Sequence, residues 1–149
     1  MAVEHAARRR WMSILAQATG AEIERAWQAL PERPEYRVVR RPEVGLVMVR
    51  GRAGGSGAPF NLGEMTVTRC TVDLPSGMAG HGYVAGRNVR HAELAAVFDA
   101  LLQDPVYAAQ LEERVIAPLE ASQQERRRQV AERSAPTRVE FFTLVRGDD

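Results

Sequence analysis

The sequence predicts an α+β fold in which an antiparallel β meander is flanked by N-terminal helices and by a C-terminal helical segment with one last strand. All of this sits in a single domain spanning residues 1–149. Three observations predict it. Apolar residues recur at helical spacing up to Leu30 and again from Leu94, whereas 36–86 is rich in β-branched residues and broken by Gly and Pro. Third, Gly86-Arg87-Asn88-Val89-Arg90-His91-Ala92-Glu93 reads as a strand turning straight into a helix, with Asn88 as N-cap.

The first helix carries Trp11, Ile14, Leu15 and Ala18 on one stripe after an arginine run. Thr19-Gly20-Ala21-Glu22 has the form of a capping box and opens a second short helix. Its buried stripe is Ile23, Trp27 and Leu30, and Pro31 and Pro34 end it. Two strands are expected next, Tyr36 to Arg41 and Val44 to Arg52, with Arg41-Pro42-Glu43 as a hairpin between them. Gly54-Gly55-Ser56-Gly57-Ala58-Pro59 is too glycine-rich for either regular element. Phe60 to Leu74 forms a long strand, and Pro75-Ser76-Gly77 turns it into His81 to Gly86.

From Asn88 the helical period returns with Leu94, Val97, Phe98, Leu101 and Leu102 on one face, and His91 shares that face. Asp104-Pro105 ends this helix and starts another, which carries Tyr107, Leu111 and Val115. Ala117-Pro118 is expected to break the chain again. Leu119 to Arg133 is then a helix polar nearly all round, either a solvated arm or an element that packs on another protein. Arg138 to Val145, with Phe141 and Phe142, reads as the last strand.

Composition narrows the function classes. A net charge of +1 argues against a general nucleic-acid or membrane-surface binder. Every basic residue other than histidine is arginine, so no Schiff-base or P-loop lysine exists. Cys70 stands alone, and His5, His81 and His91 are scattered, so no protein metal site is expected. No apolar run is long enough to span a bilayer, and Glu4, Arg8, Arg9 and Arg10 are unlike a signal peptide, which makes a cytoplasmic location the expectation.

Three clusters have chemical potential. Arg87, Arg90, His91 and Glu93 surround a helix N-terminus, where backbone N–H groups and the dipole favour an anion; the alternative is a well-capped surface helix. Gly54, Gly55 and Gly57, flanked by Arg50 and Arg52, are either an N–H nest for an oxyanion or a flexible hairpin tip. Arg69 shares a strand face with Met65 and Val67, so it needs either an internal carboxylate or an anionic ligand. No serine or cysteine stands at a telling spacing from a histidine.

Several runs, in order, resemble a known family. They are Arg10-Trp11-Met12-Ser13-Ile14-Leu15-Ala16, Gly45-Leu46-Val47, Gly54-Gly55-Ser56-Gly57 with Phe60 and Gly63, and Thr66-Val67-Thr68-Arg69. Gly86-Arg87-Asn88 with His91-Ala92-Glu93, Ile116-Ala117-Pro118-Leu119 and Phe141-Phe142-Thr143-Leu144-Val145-Arg146-Gly147-Asp148 complete the set. From about residue 10 onward the chain resembles the G-subunit family of the bacterial carbon–phosphorus lyase system for phosphonate use. The resemblance implies a core complex with H, I and J subunits and a functional partner L protein. It implies synthesis of alpha-D-ribose 1-methylphosphonate 5-triphosphate from ATP and methylphosphonate, with release of adenine. It places the main catalysis on the I subunit and leaves this chain without a cofactor. Metal and iron–sulfur/S-adenosylmethionine chemistry falls to partner subunits. The residues here that match the family pattern are Arg69, Arg87, His91 and Glu93. On that reading Arg69, Arg87 and the glycines 54, 55 and 57 would bind the anion, and His91 and Glu93 would position or protonate a group; the alternatives are a scaffold subunit that only shapes and stabilises the I subunit, or a free-standing anion-binding regulatory module.

Overall fold

The computed structural model describes residues 2–134. Helices α1 (Ala2–Gln17) and α2 (Gly20–Gln28) precede strands β1 (Arg37–Arg52), β2 (Pro59–Asp73) and β3 (Ala79–Ala85); helices α3 (Val89–Gln103), α4 (Ala108–Leu111) and α5 (Ala117–Ser134) follow. The strands form one antiparallel sheet in the order β1-β2-β3, as a meander should. The α+β class therefore holds. The expected last strand, Arg138 to Val145, lies outside the described residues.

The core lies between one face of the sheet and α3, with α1 and α2 packed on the helix from outside. Cys70, Val72 and Leu74 from β2 and Val84 from β3 meet Leu94, Phe98 and Leu101 of α3, and Leu15, Ile23 and Trp27 close the other side. Trp27 packs edge-on against Phe98, with ring centroids 6.1 Å apart. This is the apolar helix face expected from sequence, but α3 is buried almost all round, from His91 to Leu102. Its second face is the alanine row Ala92, Ala96 and Ala100, which lies directly on β3. A Cβ on Gly82 would strike the Ala92 carbonyl oxygen, and one on Gly80 the Ala96 carbonyl oxygen. Two glycines two residues apart thus allow contact between helix and strand backbones.

The capping box forms as read: Glu22 N–H donates to Thr19 Oγ1 at 3.1 Å, and Thr19 N–H to Glu22 Oε2 at 2.8 Å. Two proline expectations need correction. Arg41-Pro42-Glu43 is not a hairpin; β1 runs straight through it. The pairing slips from Arg40 opposite Thr71 to Glu43 opposite Arg69, so the extra residue forms a bulge. Pro42 is tolerated because β1 is an edge strand, where a missing N–H costs the ladder little. Nor does Ala117-Pro118 break the chain. The preceding turn, Glu112–Ile116, widens to π-helix, which relieves the clash of the Pro118 ring with the turn before it, and α5 continues. The helix expected to begin at Pro105 begins at Ala108 instead. Asp104 first accepts from Val106 N–H through Oδ1, and its carbonyl accepts from Tyr107 and Ala108 N–H.

Helix α5, polar as expected, packs on its own chain through polar contacts. Buried Gln123 donates to the Ile14 carbonyl at 2.7 Å, Arg126 pairs with Glu22 at 2.6 Å, and Glu120 takes Arg10 at 2.5 Å. Arg126 first, then the Thr19 N–H and the Ser122 hydroxyl, hold the Glu22 carboxyl down at about 2. A depressed carboxyl pKa stabilises the fold fully above its unfolded value near 4.5, and that contribution is lost as pH falls toward 2. The stability gap between wild type and Glu22→Gln should therefore close between those two pH values, as measured by urea unfolding at each pH.

Asp99 is fully buried on α3. It accepts from Arg8 Nε at 3.1 Å and Nη2 at 2.8 Å, from Trp11 Nε1 at 2.9 Å and from the His81 backbone N–H at 2.9 Å. Removing the carboxylate leaves the Trp11 Nε1–H and His81 N–H donors without their acceptor and Arg8, a third exposed, without its partner. Asp99→Ala should cost about 2–4 kcal/mol of unfolding free energy through the donors it orphans. Arg69→Ala, at an exposed pair, should cost less than about 1 kcal/mol. Chemical denaturation of the two variants checks the contrast.

Candidate functional site

Each sequence-derived candidate has a defined place. Asn88 caps α3 by accepting from His91 N–H at 3.0 Å. The His91 side chain turns inward, is buried, and sets Nε2 2.7 Å from the Leu15 carbonyl oxygen. A carbonyl only accepts, so Nε2 carries the proton in this contact. Leu15 and Ile14 belong to the last turn of α1, and the Ile14 carbonyl also accepts from Ala18 N–H at 3.1 Å. His91 from α3 donates to the Leu15 carbonyl and Gln123 from α5 adds a second donor to the Ile14 carbonyl, which makes His91 a tie between helices.

Glu93 is similarly engaged. It accepts from the Tyr36 hydroxyl at 2.5 Å and stands 3.6 Å from Arg90, whose main partner is Glu24 at 2.9 Å. This network joins α2, α3 and the entry to β1. Burial first, and then the Glu93 carboxylate, push the Tyr36 hydroxyl pKa up. Arg69 has found an internal carboxylate: it pairs with Glu43 at 3.2 Å on the outer face of the sheet. Arg87 is exposed and has no partner among the described residues.

The clusters do not converge. Arg69 lies on the strand face opposite Thr68 and Cys70, which face α3, so the sheet separates it from His91. Gly54, Gly55 and Gly57 form the turn joining β1 to β2, with Gly57 N–H closing on the Ala53 carbonyl at 3.0 Å. That turn lies beyond the Arg52–Pro59 pair, whereas α3 begins near the level of Thr66. The intervening stretch of strand spans about 23 Å. Cys70 is buried against the Arg40 carbonyl, and burial first, then Glu93, push its thiol up to about 11, so it is not a ready nucleophile.

The described residues do bring basic side chains together elsewhere. His5, Arg8, Arg9, Met12 and His81 line an open cleft of about 720 Å³ between α1 and β3. Arg8 is held by Asp99, and Arg9 Nε donates to the His5 carbonyl at 3.4 Å. Sequence reasoning missed this group, although His5, Arg8, Arg9 and Met12 fall at the i, i+3, i+4, i+7 spacing of one helix face. Only the contribution of His81 depends on tertiary structure.

Fold and site together define a small α+β protein whose candidate side chains His91, Glu93 and Arg69 are tied into its architecture. The family described as "Phosphonate metabolism protein PhnG" matches residues 6–147. A protein of Rhizobium meliloti (strain 1021), named "Alpha-D-ribose 1-methylphosphonate 5-triphosphate synthase subunit PhnG", is 52% identical over 147 residues, covering 97% of this chain and 92% of that protein. The chain belongs to the PhnG family of phosphonate metabolism proteins.

The buried role of His91 makes a direct prediction. His91→Ala should lose about 1–3 kcal/mol of stability, because the Leu15 carbonyl loses its donor. His91→Gln retains an N–H donor and should recover part of the loss, as read by thermal and urea unfolding of the two variants.

Proposed function

We propose that this chain is a non-autonomous subunit of the carbon–phosphorus lyase core complex. There it supports synthesis of alpha-D-ribose 1-methylphosphonate 5-triphosphate from ATP and methylphosphonate, with release of adenine. Near full-length similarity to a subunit of the synthase so named carries the reading. The geometry supports it, because His91, Glu93 and Arg69 are each engaged within the chain.

In this proposal the complex works in the cytoplasm, with H, I and J subunits as partners in assembly and the L protein as a functional partner. Metal, iron–sulfur and S-adenosylmethionine chemistry belongs to partner chains. His91 and Glu93 act as positioning residues that fix α3 against α1 and β1. Arg87, exposed and unpaired among the described residues, is the member of the sequence-derived set free to meet an anion from a shared site. In the cleft between α1 and β3, Arg9 offers the same chemistry on another face.

The deciding experiment measures adenine release from ATP plus methylphosphonate by the H, I and L proteins, with and without this chain. Release should fall to background without it and return on its addition. His91→Gln should restore release nearly as well as wild type. Equal release in its absence would overturn the reading.

A further inference from the structure

Strands β1 and β2 continue past the end of β3. The β2–β3 ladder stops at Val67 opposite Ala85, and Gly86 N–H closes on the Thr66 carbonyl at 2.8 Å. The β1–β2 ladder runs on from Leu46 opposite Thr66 to Arg52 opposite Pro59. Residues 46–66 therefore form a two-stranded ribbon that β3 does not cover. The register puts Leu46 and Met48 on one face and Val47, Val49 and Met65 on the other, with Phe60 and Leu62 nearer the tip. Leu46 and Leu62 are each 62% exposed, Met48 51% and Phe60 46%.

A two-stranded ribbon is at best marginally stable in water on its own, and clustered exposed apolar residues mark an interaction surface. The glycine turn suits such a role. Gly54 and Gly55 take φ of +62° and +78°, which closes the tip without bulky side chains. Behind that tip stand Arg50 and Arg52, both without a partner among the described residues. Glu64 is the one carboxylate between positions 44 and 66.

We propose that this ribbon is a docking arm that inserts into a cleft of another subunit of the complex, with apolar walls for its two faces and carboxylates where the arginine-bearing tip comes to rest. The proposal rests on the complex-subunit reading given above. Charge selects this occupant over a second copy of the chain. Antiparallel pairing of two β1 edges about Leu46 would bring Arg50 onto the Arg41-Pro42 bulge, and like charges directly opposed are destabilising. Pro42 also interrupts that edge. Among the described residues, the cleft between α1 and β3 presents no free carboxylate to an arginine-tipped arm, since Asp99 is taken by Arg8.

The test co-expresses the full chain with the H, I and J subunits and purifies the assembly through a tag on the I subunit. The double variant Leu46→Asp/Leu62→Asp should reduce the co-purified chain at least about tenfold, as loss of buried apolar anchors does. Its melting temperature should stay within about 2 °C of wild type, because the arm adds nothing to the core. Arg50→Glu/Arg52→Glu should weaken assembly, and Val106→Asp, exposed but off the arm, should assemble normally. A photo-crosslinker at Phe60 should capture a different subunit. Capture only of a second copy, or of residues 135–149 of this chain, would overturn the assignment of occupant. Equal assembly by wild type and arm variants would overturn the arm while leaving the complex-subunit reading intact. Failure of the wild-type chain to assemble would overturn both.

Discussion

Asp99 is the constraint on which the rest of the arrangement depends. A carboxylate in the apolar layer between α3 and the sheet is tolerated only if its lone pairs are filled, and Arg8, Trp11 and the His81 backbone fill them. Those donors come from α1 and β3, so a single group on α3 fixes both neighbours. The consequences propagate. With α1 held, its last-turn carbonyls face inward, where His91 and Gln123 reach them. Gln123 then sets α5, and Arg126 one turn along α5 finds Glu22 at the start of α2. The terminal helices are thus positioned by a relay of polar contacts that begins at one acid.

Elements governed by local rules were legible in the sequence. The Thr19 capping box, the Asn88 cap and the turn at Pro75-Ser76-Gly77 need only neighbours a few residues away. What failed depended on where an element sits. A proline in a central strand would have ended it, but Pro42 lies on an edge, a fact of sheet order that local sequence does not contain. Pro118 was read as a stop because the π-helical turn that absorbs it is set by packing of Val115 and Ile116 in the core. The alanine row of α3 was overlooked because alanine contributes little to an apolar stripe; only its match with Gly80 and Gly82 shows its purpose.

The candidate site was less legible, and the reason is physical. A residue type says what a side chain can do, and its partners decide what it does. Arg69, His91 and Glu93 have the right chemistry for an anion or a proton, yet Glu43, the Leu15 carbonyl and Tyr36 occupy them. Those partners lie 26, 76 and 57 positions away, beyond any local spacing. The basic face of α1 followed a helical spacing and was within reach. It was passed over because a run of arginines near the N-terminus reads first as solvated charge.

A contrast within the molecule follows. The body satisfies its polar groups internally: among the described residues, no buried side-chain nitrogen or oxygen lacks a hydrogen-bond partner. The ribbon does the opposite, holding apolar side chains and two arginines in water. A chain under no constraint beyond its own folding would gain by shortening that hairpin, since closing and ordering the extra residues costs conformational entropy that no core contact offsets. The ribbon is therefore best understood as surface whose contacts are completed by another molecule. That accounts for a small protein with ordered polar clusters and no assembled catalytic pair among its described candidate residues. Its body satisfies its own polar groups, and the ribbon is the surface left for another molecule.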